Sequence, residues 1–143
     1  MKLSTKGRYG LRALVDLAVH SENGTVSIQS IANRQNISVS YLEQLVGKMR
    51  RAGIVTSIRG AAGGYRLAKP PSTISVGDVL RALEGDLEAV NCPGNDEVPA
   101  CEAAPTCVTK YVWKRINDSI SQAVDTIMIE ELVKESKKLN GKE

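Results

Sequence analysis

Residues 27–53 read SIQSIANRQNISVSYLEQLVGKMRRAG, and the spacing of their apolar residues decides the fold. Ser27 is placed to cap a short helix running to Gln35, with Ile28 and Ile31 facing inward, because a serine oxygen ahead of the first turn takes one of its unpaired amides. A turn around Asn36 follows. Beyond it Leu42, Leu45, Val46 and Met49 recur at intervals of three and four, the mark of one buried helix face. The pattern stops at Gly53, which suits the left-handed position just past a helix end. Two short helices joined by a tight turn form a helix-turn-helix unit.

Upstream, Leu11, Leu14, Val15, Leu17 and Ala18 predict a helix over Arg8 to His20, and Ser21 to Gly24 break it. Downstream the period changes. Ile54, Val55 and Ile58 are β-branched, and Tyr65 to Leu67 resume an apolar run after RGAAGG, so two strands joined by a glycine-rich loop form a wing. Pro70 and Pro71 close that unit and mark the expected internal boundary. A helix over Val76 to Leu83 follows, capped by Ser75 with Asp78 completing a capping box. Residues 85–105 hold three prolines, two glycines and two of the three cysteines without sustained periodicity, and read as an ordered loop. Helical spacing returns from Thr106 to Met128, where Val112, Ile116, Ile120, Ala123 and Ile127 form a stripe that needs a partner, most simply a two-fold mate. A last helix spans Ile129 to Leu139. The expected fold is mainly α with a small β-wing: a winged helix-turn-helix over 1–84, a cysteine loop over 85–105, then a long dimerisation helix and a C-terminal helix over 106–143.

Charge is divided unevenly along this plan. The net charge is +3, but residues 1–71 carry eleven Lys and Arg against three Asp and Glu, while residues 72–143 carry eight against thirteen. A basic first half suits a polyanion, and double-stranded DNA is the one a helix-turn-helix reads. An apolar share of 42% is enough for a core. No stretch approaches the roughly 20 apolar residues that cross a bilayer, and the start lacks a signal-peptide pattern, which places the chain in the cytoplasm and away from membranes.

Phosphate contacts hold a protein on DNA, whereas base edges specify the sequence. Ser38, Ser40, Tyr41, Glu43 and Gln44 open the second helix of the unit, where a groove would be met, and Glu43 is able to accept from a cytosine amino group. Ser40 and Glu43 also fit the S-x-x-E capping box, which would employ both in starting the helix instead. Arg59, at the root of the wing, has the planar fork suited to phosphate or to a narrow minor groove. The glycines of the wing lack the lysine of a nucleotide-binding loop. His20 reads as a cation closing the first helix, and Tyr111 and Trp113 as packing residues.

Cys92, Cys101 and Cys107 are odd in number and clustered, which points to a metal or redox site and away from a disulfide framework. Thiolates select zinc, copper(I) or iron–sulfur clusters, and the spacing is not the paired CxxC of a zinc ribbon. No nucleophile, base and orienting group stand together in the sequence, so an enzyme is not expected. A zinc-bound structural adaptor remains the alternative from another class.

STKGRYGLRALVDLA, ISVSYLEQL, SIRGAAGGYRLAKP and the cysteine loop before CVTKYVWKRI, in this order, resemble the IscR-like iron–sulfur cluster regulators over nearly the whole chain. The resemblance implies a homodimeric winged-helix repressor of cluster-assembly genes with a [2Fe-2S] cluster on Cys92, Cys101 and Cys107. It implies base discrimination by Glu43 that shifts with cluster occupancy, and DNA contacts from Ser38, Ser40, Tyr41, Gln44 and Arg59. Relatives that sense nitric oxide or regulate cysteine metabolism share the winged helix. Two departures stand out. The gap between the first two cysteines is three residues longer than in IscR, and the family's fourth ligand, a histidine three residues after the third cysteine, is here Lys110. A protonated lysine has no lone pair to donate, so Asp96, Glu97, Glu102, a backbone group or a small exogenous thiol is the expected replacement.

Overall fold

A computed structural model describes residues 3–89 and 107–141. Among the described residues nine elements run in chain order: α1 Thr5–His20, α2 Ile28–Gln35, α3 Val39–Arg51, β1 Val55–Ile58, β2 Gly64–Leu67, a 3-10 turn at Pro71–Thr73, α4 Val76–Glu84, α5 Lys110–Thr126 and α6 Ile129–Leu139. The wing is an antiparallel pair with Val55 opposite Leu67 and Ile58 opposite Gly64. Val26, just before α2, adds a short third rung by exchanging two backbone hydrogen bonds of 2.8 Å with Tyr65.

The caps explain the helix limits. α1 starts three residues earlier than the apolar pattern predicts, because the Ser4 side chain accepts from the Lys6 amide. Glu84, at the end of α4, reinforces this start by accepting from the Ser4 backbone amide at 2.6 Å and from the Ser4 hydroxyl. α2 begins at Ser27, as expected, and ends on Asn36 in the left-handed region, where φ is 54°. α3 departs from the S-x-x-E pattern. Its cap is Ser38, whose oxygen accepts from the Tyr41 amide at 3.2 Å, so Ser40 lies inside the first turn and the Ser40–Glu43 capping box does not form. α4 carries the expected capping box of Ser75 and Asp78.

One hydrophobic cluster runs through the first five helical and strand elements and across Pro70–Pro71 to α4 and α6. Leu14, Leu17, Ile31, Leu42, Leu45, Met49, Ile54, Ile74, Leu83 and Ile129 are all fully buried. α6 therefore packs back onto the winged unit through Ile129 and Val133. Two backbone bonds of 2.8 Å, Val76 N–H to Ile127 O and Ile129 N–H to Ile74 O, stitch the α5–α6 junction to the start of α4. The Arg81 guanidinium adds a two-pronged pair to Asp125 at 2.6 and 3.0 Å.

α5 is shorter than its expected span, at about 25 Å, and begins at Lys110. The Thr109 hydroxyl faces the Cys107 sulfur and makes no cap. The stripe on α5 divides into two parts. Ile120 and Val124 rest on the core, whereas Tyr111, Val112 and Ile116 remain 67%, 49% and 39% exposed in the single chain.

Loss of a serine cap costs about 1 kcal/mol. Ser38→Ala should therefore lower urea-unfolding stability by about that amount, while Ser40→Ala stays within about 0.5 kcal/mol of the parent. The Glu84 carboxyl gives a second test. Partial burial pushes it up, but the Ser4 hydroxyl and amide, with Lys6 and the Gly7 amide, outweigh this and hold it below its usual 4.5. A depressed folded value means that the contribution is present above about 4.5 and fades as pH falls through the lower folded value. Glu84→Gln should flatten that acid limb of the stability curve, measured by urea titration across the acid range.

Candidate nucleic-acid interface

The two faces of α3 divide the labour. Leu42, Leu45, Val46 and Met49 are buried beneath it, so the helix cannot rotate without exposing the core. Ser40, Glu43, Gln44 and Arg51 fall at spacings of three, one and seven on the opposite side and are exposed. The side chains of Ser40, Glu43 and Gln44 form no hydrogen bond or ion pair among the described residues. A carboxylate, an amide and a hydroxyl on one unencumbered face are the groups that read base edges. Lys48, Arg50 and Arg51 follow in the last turn, where cations also suit the negative end of the helix.

Ser38 and Tyr41, two further expected contacts, have structural duties. Ser38 caps the helix. Tyr41 is half-buried, its hydroxyl lies 3.0 Å from the Thr5 hydroxyl, and its ring meets Tyr9 edge-on at 6.3 Å.

Arg59 is exposed immediately after β1, where the wing loop begins. Gly60 and Gly64 take positive φ of 111° and 158°, and Thr25 donates its hydroxyl proton to the Ala62 carbonyl at 2.9 Å, tying the loop back to the body. Gly63 is required by close approach. A Cβ there would collide with the Ile58 carbonyl oxygen and stand 2.8 Å from the Gly60 oxygen.

Residues missing from the sequence reading lie behind this surface. Asp16 is buried on α1 with its side chain 3% exposed. Its oxygens accept from Arg34 Nε at 3.1 and 3.0 Å, Arg34 Nη2 at 2.8 Å and Gln35 Nε2 at 2.9 Å. A lone acid inside the apolar LVDLAV of the first helix was the available signal. His20 ends α1 with Nδ1 2.9 Å from the Asp16 carbonyl oxygen, consistent with its expected place at the helix end.

Of the three cysteines, Cys92 and Cys101 lie outside the described residues, as do Asp96, Glu97 and Glu102. Cys107 is half-exposed just ahead of α5. The Thr109 hydroxyl, 3.0 Å from its sulfur, and the Lys110 and Thr109 amides hold its thiol below the usual cysteine value. A favoured thiolate is the donor a thiol-held metal needs. Among the described residues no group of three or more His, Cys, Asp or Glu is arranged to hold a metal ion. Lys110 sits 5.5 Å from the Tyr111 ring centre. Among the same residues no helix is long and apolar enough to cross a membrane.

A helix-turn-helix with a wing and a free polar face is the architecture of a DNA-binding transcription regulator. Known proteins agree. The profile of the Rrf2 family, described as an iron-dependent transcriptional regulator, matches residues 3–135. The HTH-type transcriptional regulator IscR of Aliivibrio salmonicida is 42% identical over 133 residues, 93% of this chain and 77% of that one. Its counterpart in Pectobacterium atrosepticum is 39% identical over 140 residues, 98% of this chain and 84% of that one. Among solved structures, T. potens IscR superposes with a TM-score of 0.77 at 42% identity, covering 97% of this chain and 90% of that one. CymR, the global cysteine regulator of B. subtilis, gives 0.76 at 41% identity, covering 94% and 97%. The chain belongs to the Rrf2 family of transcriptional regulators.

The wing geometry yields a direct test. Gly63→Ala should weaken duplex binding by about 1 kcal/mol or more, because the loop that presents Arg59 cannot close in its present shape. The thermal midpoint should stay within a few degrees of the parent, since the wing tip is exposed. Fluorescence anisotropy and thermal melts together check both halves.

Proposed function

We propose that the chain is a sequence-specific, homodimeric repressor that reads duplex DNA with α3 and the Arg59 wing, in the cytoplasm, under the control of an iron–sulfur cluster. The unoccupied polar face of α3 carries this reading. Ser40, Glu43 and Gln44 stand over a buried apolar face that fixes their direction, with Arg59 on the neighbouring wing. In this reading Ser38 and Tyr41 also contact the DNA from the first turn, which they hold in position through the cap and the Tyr9 contact. The exposed Tyr111, Val112 and Ile116 on α5 support a second copy as partner, because a chain acting alone would leave this stripe in water.

Cys107 fits a thiolate-held cluster by its lowered thiol and its place ahead of α5, and Cys92 and Cys101 would supply the remaining thiolates. When bound, a [2Fe-2S] group there supplies a charge and redox state that respond to iron and oxidants. The protein's own contribution is the connection from that region to the DNA face. The Ala89 amide donates to Asn117 Oδ1 at 2.7 Å, fixing the chain three residues before Cys92 to the middle of α5. The far end of α5 is fastened to α4 by Arg81 and Asp125. Governance of cluster-assembly genes follows the similarity to IscR. The comparable similarity to CymR favours a second reading, regulation of cysteine metabolism.

Anaerobic purification followed by visible absorption, iron and sulfide assays and titration of the chain's own promoter separates these readings. The wild type should be coloured and bind the promoter with a steep loss of affinity as salt rises. Replacing Cys92, Cys101 or Cys107 by Ala should remove colour and iron while leaving a folded dimer, and Lys110→Ala should keep both. A colourless wild type carrying one zinc per chain would favour the adaptor, and a flat salt response without a footprint would refute DNA readout.

A further inference from the structure

Arg12 of α1 is exposed, yet its guanidinium is employed on two sides. Nη2 donates to the Gln35 carbonyl oxygen at 3.2 Å and Nε to Gln35 Oε1 at 3.3 Å, while Cζ stands 5.3 Å over the Tyr9 ring. Gln35 is the last residue of α2, next to the left-handed Asn36, and its carbonyl is among those that a helix end leaves unpaired. Its amide is held in turn by Asp16. Tyr9 leads to the other side of the turn, since its ring packs edge-on against Tyr41 in the first turn of α3. The turn between α2 and α3 is thus gripped at its entry through Gln35 and at its exit through Tyr9 and Tyr41, and Arg12 touches both grips.

We infer that Arg12 is a positioning residue for sequence discrimination, holding the α2–α3 turn so that α3 meets the groove at one fixed angle. The inference rests on the reading of α3 as the recognition helix. Arginine suits this role because a planar fork bonds the carbonyl and the amide oxygen of one residue while its face lies on an aromatic ring. Lysine, a point charge on a flexible stem, cannot do all three. The rival role is a phosphate contact, for which charge alone suffices.

The experiment uses the full chain, a duplex selected by the wild type from a random library, and a scrambled duplex of the same composition. Arg12→Lys, Arg12→Gln and Tyr9→Leu are compared for the ratio of the two affinities, for the salt dependence of each, and for thermal midpoint. Arg12→Lys and Tyr9→Leu should each lower the specific-to-scrambled ratio by about three- to tenfold, the worth of one or two ordinary hydrogen bonds. Arg12→Gln should do the same, with affinity for the scrambled duplex, salt slope and melting unchanged. The inference is overturned if Arg12→Lys keeps the full ratio while Arg12→Gln weakens both duplexes alike and reduces the salt slope by about one, the signature of a phosphate contact. It is also overturned if affinity falls only in parallel with the melting temperature. A wild type that selects no preferred duplex would overturn the recognition-helix reading itself, and is told apart because the parent fails before any variant is made.

Discussion

The buried carboxylate of Asp16 is the interaction on which the placement of the helix-turn-helix depends. A charge taken out of water must be paired and hydrogen-bonded or it is strongly destabilising. Here the Arg34 fork and the Gln35 amide satisfy it. Both donors come from the last turn of α2, so the need to neutralise one group on α1 fixes where α2 ends and where the following turn begins. Removing either partner would leave the acid buried with fewer bonds, while removing Asp16 would leave the end of α2 without its anchor.

From that anchor the rest of the surface follows by packing. Asn36 reverses the chain, Ser38 caps α3, and the buried Leu42, Leu45, Val46 and Met49 set its rotation about its own axis. Ser40, Glu43 and Gln44, left facing outward, make no side-chain hydrogen bond or ion pair among the described residues, which is why a binding role fits them. The wing is located by different means: Val26 pairs with Tyr65 and Thr25 holds Ala62, so the same short segment before α2 that starts the helix-turn-helix also places Arg59. α5 stands apart from this economy. Its C-terminal end is fastened to α4, its N-terminal end follows Cys107, and its apolar stripe is covered only halfway along.

Much of this was legible in the chain, for identifiable reasons. Strong local signals gave the right elements: the three- and four-residue spacing in α3, Gly53 at φ 78°, the Ser75–Asp78 capping box and the limits of α6. Two nearby serines with equal capping propensity misled the S-x-x-E reading, and only the geometry shows that Ser38 takes the role and releases Glu43. The early start of α1 depends on Glu84, eighty residues away, and no local pattern reports it. The Asp16 hub and the Arg12 grip are also long-range pairings, visible in sequence only as an acid and an arginine at odds with an apolar helix. The number and clustering of the cysteines point to a metal or redox site, and the choice of an iron–sulfur cluster rests on the resemblance, because thiol spacing alone does not choose a metal.

Hydroxyl-radical footprinting of the wild-type chain on a selected duplex tests the central claim most directly, since it reports both which grooves are approached and how many subunits approach them. The account predicts two protected patches related by a two-fold axis and separated by about one helical turn or a multiple of it, with added minor-groove protection where each wing lies. A single unpaired patch, or uniform protection indifferent to sequence while the chain remains folded, would contradict it.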